Sequence, residues 1–122
     1  MATILKFSIT LLLLVLLNKS VCGCDLNNIT IGTIRSGNEI KGKPEWNVVV
    51  VNNCDCPMLN MLLSCNGFQT TEPVDPAIFK PIGNDTCSIN NGSSIKPKDS
   101  VKFSYAWDPP CFLRPTSVVA SC

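Results

Sequence analysis

The chain of 122 residues contains no histidine, and only 16% of its residues are charged. Histidine is the commonest general base and metal ligand, so its absence removes the usual basis for hydrolytic or metal-dependent catalysis. The sequence also lacks a glycine-rich phosphate loop and a stripe of basic residues, which nucleotide and nucleic-acid partners would need. We therefore expect a protein that acts by binding, with no catalytic residue, metal or cofactor.

The longest apolar run is also short. Residues 7–17 (FSITLLLLVLL) form an uninterrupted stretch behind a single lysine, whereas a membrane-spanning helix needs about 20 apolar residues. This layout is typical of an export signal, with cleavage before Gly23 or Cys24. We expect a signal peptide at residues 1–23, and one domain at residues 24–122 that is secreted into the extracellular space.

Cysteine is abundant, with eight residues. In an oxidising compartment cysteines pair as disulfides. Either cleavage would remove Cys22 and leave seven, so one thiol is free or pairs between chains. The spacing Cys54-Asp55-Cys56 is not the C-x-x-C of a zinc or redox motif, and these two cysteines are expected to bridge to different partners. The connectivity itself cannot be deduced from the spacings.

Helix signals are nearly absent, and proline or glycine interrupts the chain about every ten residues. Alternation of Phe103, Tyr105 and Trp107 with small or polar residues predicts a strand with one buried face. The four consecutive valines at 48–51 predict a central strand covered on both sides. We predict a small disulfide-stapled antiparallel β-sandwich, with a small open β-barrel as the alternative. The candidate strands are residues 29–34, 46–52, 60–65, 86–89, 100–107 and 116–122, and residues 75–79 are expected to form one helical turn.

Three N-x-S/T sequons lie in the expected mature domain, at Asn28, Asn84 and Asn91. In a secreted chain such asparagines are glycosylation candidates. Asn91 is the best placed, because it lies in the turn signal Asn90-Asn91-Gly92.

Aromatic residues outside the alternating strand are candidates for partner contact, since aromatics dominate binding hot spots. Trp46, Phe68 and Phe79 are these candidates, although closing the end of the sandwich is the competing role for each. Stacking of Trp46 on a sugar ring would instead indicate a module that binds cell-wall glycans. The carboxylates are expected to be solvated loop charges and not an acid/base pair.

Several segments together resemble the plant Tapetum Determinant family of small secreted cysteine-rich proteins. They are PEWNVVVVNNCDC (residues 44–56), the GFQ and VDP-x-IF segments (67–69 and 74–79), YAWD (105–108) and the terminal SVVASC (117–122). The founding members have a dibasic segment before the first framework cysteine that this chain lacks, so it resembles a divergent member.

The resemblance implies an extracellular ligand of a leucine-rich-repeat receptor kinase, acting in cell fate as in anther development. It also implies which cysteines form the structural framework, and it leaves Cys111 as the extra one, available for a covalent homodimer. The framework cysteines are Cys24, Cys54, Cys56, Cys65, Cys87 and Cys122.

Overall fold

Two antiparallel sheets pack face to face in the computed structural model of the protein, which describes residues 23–122. Strands β1, β2 and β6 form a three-stranded sheet in the order β1-β2-β6, and the others form a four-stranded sheet in the order β4-β5-β3-β7. The predicted β-sandwich is confirmed, and the barrel alternative is wrong because no pairing among the described strands joins the two sheets. The strands are β1 (Ile29–Ile40), β2 (Lys43–Asn52), β3 (Met58–Ser64), β4 (Phe79–Gly83), β5 (Thr86–Ile89), β6 (Ser100–Ala106) and β7 (Arg114–Ala120).

A long hairpin of β1 and β2 builds most of the three-stranded sheet. Its register runs from Ile29 opposite Asn52 to Ile40 opposite Lys43. Lys41 and Gly42 both have positive φ, as a two-residue turn of type I′ requires, and that turn matches the natural strand twist. The pairing shifts between Arg35 and Glu39, so β1 bulges there and continues beyond the end predicted for it.

Strand β2 is central in its sheet, as the valine run predicted, but the described residues cover only one of its faces. Val48 and Val50 are buried in the core, whereas Val49 and Val51 are half-buried on the outer face. The prediction of cover on both faces is therefore wrong. β-branched side chains suit a pleated surface even without a second layer over them.

Strand β4 was not predicted, because Pro81 and Gly83 read as loop signals. It is an edge strand paired only with β5, the position in a sheet where proline is tolerated. The predicted helical turn ahead of β4 is a single turn, in which the Asp75 carbonyl accepts from the backbone N–H groups of Ile78 and Phe79.

An aromatic cluster fills the space between the sheets. Phe79 stacks on Phe103 with ring centroids 4.4 Å apart, and Tyr105 is fully buried beside them. Phe79 is only 1% exposed, so its prediction as an exposed binding residue is wrong. It ends the 74–79 segment as the first residue of β4, and burying such a ring contributes roughly 2–3 kcal/mol to stability.

Three disulfides staple the sandwich. Cys24–Cys54 ties the segment before β1 to the end of β2, and Cys56–Cys122 ties the C-terminal residue to the connection between β2 and β3. Cys65–Cys87 joins β5 to the residue after β3. Cys111 is the one described cysteine without a disulfide. The predicted signal peptide and Cys22 lie outside the described residues, apart from Gly23. In the described part of the chain no helix is long and apolar enough to cross a membrane.

Candidate interaction surface

Trp46 lies in β2 at the end of the sheet nearest the β1–β2 turn, and it is half-buried. Its indole Nε1 donates to the Trp107 carbonyl oxygen at 2.9 Å. The Arg35 guanidinium lies 5.7 Å from the centre of the Trp46 ring, and the Lys43 ammonium lies 4.9 Å from that of Trp107. We call these four residues the tryptophan end. Each indole already has a cation over it, so neither ring is fully free for a ligand.

Phe68, the second predicted contact residue, is half-buried and packs inward. Its ring centre lies 4.9 Å from that of Phe79 and 5.1 Å from that of Tyr105. The structure therefore brings Phe68 and Phe79 together in the core, and Trp46 packs against the same core from the tryptophan end.

Two carboxyl groups face each other beside the tryptophan end, a pairing that the sequence did not indicate. A hydrogen bond from Ser36 lowers the pKa of Glu45, with help from Glu72 and Asn38. Burial raises the pKa of Glu72, and the neighbouring Glu45 raises it further. One oxygen of Glu72 is buried and has no hydrogen-bond partner among the described residues. The pair can therefore hold a proton between its members.

Four cysteine sulfurs come close together where two disulfides meet. The Sγ atoms of Cys24, Cys54, Cys56 and Cys122 all lie within 4.8 Å of one another. A thiolate is the form that binds a metal, and here all four sulfurs are held in disulfides. The cluster in this form is structural.

Cys111 lies in the connection between β6 and β7 and is half-buried. Its backbone N–H donates to the Tyr105 hydroxyl at 2.8 Å, and its Sγ lies 3.6 Å from the Asn66 carbonyl oxygen. Burial raises the pKa of the Cys111 thiol. A raised pKa lowers the fraction of thiolate, which is the nucleophile in disulfide exchange.

The three sequon asparagines differ in their surroundings. Asn28 is half-buried, and its Oδ1 accepts from the Asp25 backbone N–H at 2.9 Å. Asn84 is exposed in the turn between β4 and β5, and Asn91 is exposed in the short turn Asn90–Gly92 that follows β5. All three side chains are therefore at least partly accessible to solvent. Asn91 also borders a hollow on the four-stranded sheet.

The outer face of the three-stranded sheet carries an apolar recess. We call this outer face the open face; its side chains alternate with those that point into the core. A hollow of about 490 Å³ lies on it, bordered by Ile34 and Val49. The open face consists of Thr30, Gly32, Ile34, Asn47, Val49, Val51, Ser100, Lys102 and Ser104.

Gly32 deepens this hollow because it has no side chain. A Cβ at this position would lie 3.3 Å from a Val49 methyl group, which is a tight contact. Ile34, next to the recess, is 68% exposed, and Lys102 is the open face's one charged side chain. An exposed aliphatic residue beside a recess is a suitable anchor for a protein partner.

Sequence reasoning missed two of the most exposed apolar side chains. The exposure of Ile34 could have been predicted from the alternation of side chains along β1. Ile29 and Ile31 face the core, and Ile34 lies an odd number of positions from each, so it faces outward. Phe112 is 77% exposed, and the Arg114 guanidinium lies 5.9 Å from its ring centre. It lies in an irregular connection, where no periodicity distinguishes an exposed aromatic from a buried one.

One family model and several curated plant proteins that resemble the chain all point to the same family. The family model described as "Tapetum determinant 1, C-terminal" matches residues 25–122. The chain is 33% identical over 84 residues to TPD1 protein homolog 1 of Arabidopsis thaliana, an alignment that covers 66% of this chain and 45% of that protein. It is 29% identical over 84 residues to TPD1 protein homolog 1B of Oryza sativa subsp. japonica, covering 68% of this chain and 50% of that one.

A further rice relative, TPD1 protein homolog 1A, is 29% identical over 89 residues, covering 66% of this chain and 38% of its own length. The chain thus spans about half the length, or less, of these curated relatives. No solved structure matches the chain.

Proposed function

Since the chain belongs to the Tapetum determinant 1 family of plant proteins, we propose that it is a secreted signalling ligand for the ectodomain of a leucine-rich-repeat receptor kinase. The observation that carries the proposal is the family match, which extends over residues 25–122 and so over nearly the whole described domain. By the family resemblance, the process it serves is the specification of cell fate, as in anthers.

The covalent structure supports export as part of this proposal. Three disulfides in a domain of about a hundred residues are typical of proteins folded in an oxidising compartment. In this proposal residues 1–23 are the signal peptide and the domain is released into the apoplast.

The open face is the surface that we propose for the receptor. Leucine-rich repeats stack into solenoids with an extended concave surface, and the open face offers a sheet surface that can dock against it. Three strands and about five residues per strand give roughly 14 Å by 17 Å from ordinary strand spacings. This is less than the roughly 800 Å² that each partner contributes to a stable interface, so the contact extends beyond the open face to side chains at its edges.

Binding of wall glycans is supported less well. Stacking on a sugar needs a free aromatic face, whereas Trp46 is half-buried with its Nε1 bonded to Trp107 and Arg35 over its ring. If the unmodified protein binds wall glycans and a folded Trp46→Ala variant does not, glycan binding would be the better-supported function.

A binding screen tests the receptor proposal. The secreted domain, purified with its disulfides intact, is passed over a panel of leucine-rich-repeat receptor kinase ectodomains from plants. Saturable binding to at least one of them is the expected result. Binding to none, by a protein whose mass confirms three disulfides, would refute it.

A second copy linked through Cys111 is the other partner that the sequence suggested. Because the thiol is half-buried and its pKa is raised, we expect the protein to run as a single chain on a non-reducing gel. A band of twice the mass that disappears in Cys111→Ser would establish the dimer instead.

A further inference from the structure

A second hollow lies on the opposite side of the molecule, on the outer face of the four-stranded sheet. It measures about 410 Å³, and Asn91 is one of the residues that border it. We propose that Asn91 carries an N-linked glycan whose first sugars lie in this hollow and cover the apolar side chains of Leu62 and Ile82.

The composition of the hollow suits a sugar. Ile82 is 50% exposed on an edge strand, and with Leu62 it provides an apolar floor. Asn60, Ser88 and Ser117 provide hydrogen-bonding groups around that floor. A pyranose ring has one less polar face and a rim of hydroxyl groups, so it can cover the aliphatic side chains while its hydroxyls meet the polar ones.

The turn that presents Asn91 is held firmly against the sheet. The Asn90 side chain donates to the carbonyl oxygens of Ser93 and Ser94 at 3.4 and 3.3 Å. Gly92 lies so close to Asn60 that a Cβ there would be 3.1 Å from the Asn60 Oδ1. Asn91 itself is exposed in the left-handed conformation, which asparagine tolerates better than most residues. The attachment point is therefore both accessible and fixed beside the hollow.

The other two sequons lack this combination. The Oδ1 of Asn28 is engaged by the Asp25 backbone N–H. Asn84 borders a different and smaller hollow of about 310 Å³, which lacks an exposed aliphatic side chain such as Ile82 and is bordered instead by Phe68, a core residue.

The modification is a group transfer from a polyprenyl-diphosphate-linked oligosaccharide. A bond forms between C1 of the first sugar and the Asn91 Nδ2, and the bond from C1 to the diphosphate oxygen breaks. The Nδ2 loses one proton, and the polyprenyl diphosphate is the leaving group. The hydroxyamino acid that the sequon requires is Ser93, which is exposed.

A glycan at this place would orient the molecule for its partner. It would cover the outer face of the four-stranded sheet and leave the open face, on the other side of the sandwich, uncovered. The inference rests on the proposed secretion, but it does not depend on the identity of the receptor.

The test is secretion of the domain from plant cells behind a well-characterised export signal, followed by mass spectrometry of the Asn91 peptide. A glycan on Asn91 is expected in the parent protein and in Ser93→Thr, and its absence is expected in Ser93→Ala and Asn91→Gln. A parent protein secreted with Asn91 unmodified would overturn the proposal.

Packing in the hollow is tested by thermal unfolding of the same proteins. Ser93→Ala should unfold about 4 °C or more below Ser93→Thr, the shift expected for a contact of ordinary strength in a domain of this size. Hydrogen exchange in β4 should rise in the same variant. Equal midpoints and equal exchange would show that the glycan does not lie in the hollow. Because all variants are also assayed against the receptor panel, failure of the glycan and failure of receptor binding are read separately.

Discussion

Asn52, at the end of β2, is the residue on which the disulfide end of the sandwich depends most. It is fully buried, and its Nδ2 donates to the carbonyl oxygens of Ile95 and Cys56 at 2.9 and 3.0 Å. Its Oδ1 accepts from the Cys54 backbone N–H at 2.9 Å. One side chain thus satisfies three backbone groups from two segments, and unsatisfied buried groups of this kind each cost about 1–3 kcal/mol.

Asn52→Asp should therefore destabilise the protein severely despite its nearly unchanged shape. A carboxylate oxygen would replace the amino group and face carbonyl oxygens that it cannot bond. We expect a loss of about 3 kcal/mol or more in the free energy of unfolding at neutral pH, measured by chemical denaturation.

Asn53→Asp is the matched control, because the neighbouring Asn53 is exposed and its change should cost less than about 0.5 kcal/mol. Similar losses in the two variants would show that burial of the amide is not what stabilises this region.

The connection at residues 70–72 makes contacts that the local sequence pattern does not predict. The Thr71 hydroxyl donates to the Ile40 carbonyl oxygen, and its backbone N–H donates to that of Ala106. The segment thereby joins the end of β1 to β6 and buries Ala106, which strand alternation had placed on the outer side. The same connection brings Glu72 next to Glu45.

This connection should make stability depend on pH. Because the pKa of Glu72 is raised in the folded state, the folded protein holds its proton more tightly than the unfolded chain. Stability from this group is fully present below about pH 4.3, the ordinary value for glutamate, and is lost as pH rises through the folded pKa. The lowered pKa of Glu45 acts in the opposite sense. The stability it contributes is present above the ordinary pKa of glutamate and is lost as pH falls through the lowered pKa of Glu45.

Glu72→Gln should remove the loss of folding stability that ionised Glu72 causes at higher pH. The Gln amide can donate to Glu45 as the protonated Glu72 does, but it does not ionise. We expect a higher Tm than in the unmodified protein at pH 7, with the difference vanishing towards pH 4. Glu39→Gln, at an exposed position of the same hairpin, should leave the pH profile unchanged; identical profiles in all three proteins would contradict this account.

At the scale of the whole molecule the disulfides limit how far the chain can unfold. Cys56–Cys122 closes a separation of 66 residues and Cys65–Cys87 one of 22. In the chain-entropy view a longer closed loop stabilises more, about 4 kcal/mol for the first bridge and about 3 kcal/mol for the second. A domain of this size has a total stability of about 5–15 kcal/mol, so each bridge is a large part of it.

The double variant Cys56→Ala/Cys122→Ala should lose about 4 kcal/mol in the free energy of unfolding. This pair is the better choice because Cys122 is exposed and Cys56 only half-buried, so the substitutions leave little cavity. Cys111→Ala, which breaks no bridge, should lose far less. A loss below about 1 kcal/mol in the double variant would mean that the bridge does not constrain the unfolded chain.

Much of this architecture could be predicted from the sequence. Period two in β6 and the short strands between closely spaced proline and glycine residues indicated the fold class, because these patterns are local. The burial of Phe79 and the exposure of Phe112 could not be predicted in this way, because neither residue lies in an alternating stretch of the sequence. Whether each ring is covered is decided by contacts between residues far apart in the chain.

The candidate surface was predictable only in part. Trp46 was found as an aromatic residue outside the regular alternation, but it lies on the core-facing side of β2, opposite the open face. The Glu45–Glu72 pair and the hollow at Gly32 were not found, because each brings together residues from separate strands or connections. Neither leaves a pattern in the sequence.

A comparison of Ile34→Asp with Val119→Asp shows whether the open face binds the receptor, as proposed above. Val119 is 50% exposed on the four-stranded sheet, so the two changes place the same charge on opposite sides of the molecule. Affinity is measured for the ectodomain that binds the unmodified protein, with unfolding curves confirming that both variants are folded. Ile34→Asp should weaken binding at least tenfold, as the loss of an interface anchor does, while Val119→Asp should bind within about twofold. Undiminished binding by Ile34→Asp, or a loss of affinity confined to Val119→Asp, would show that the open face is not the receptor-binding surface.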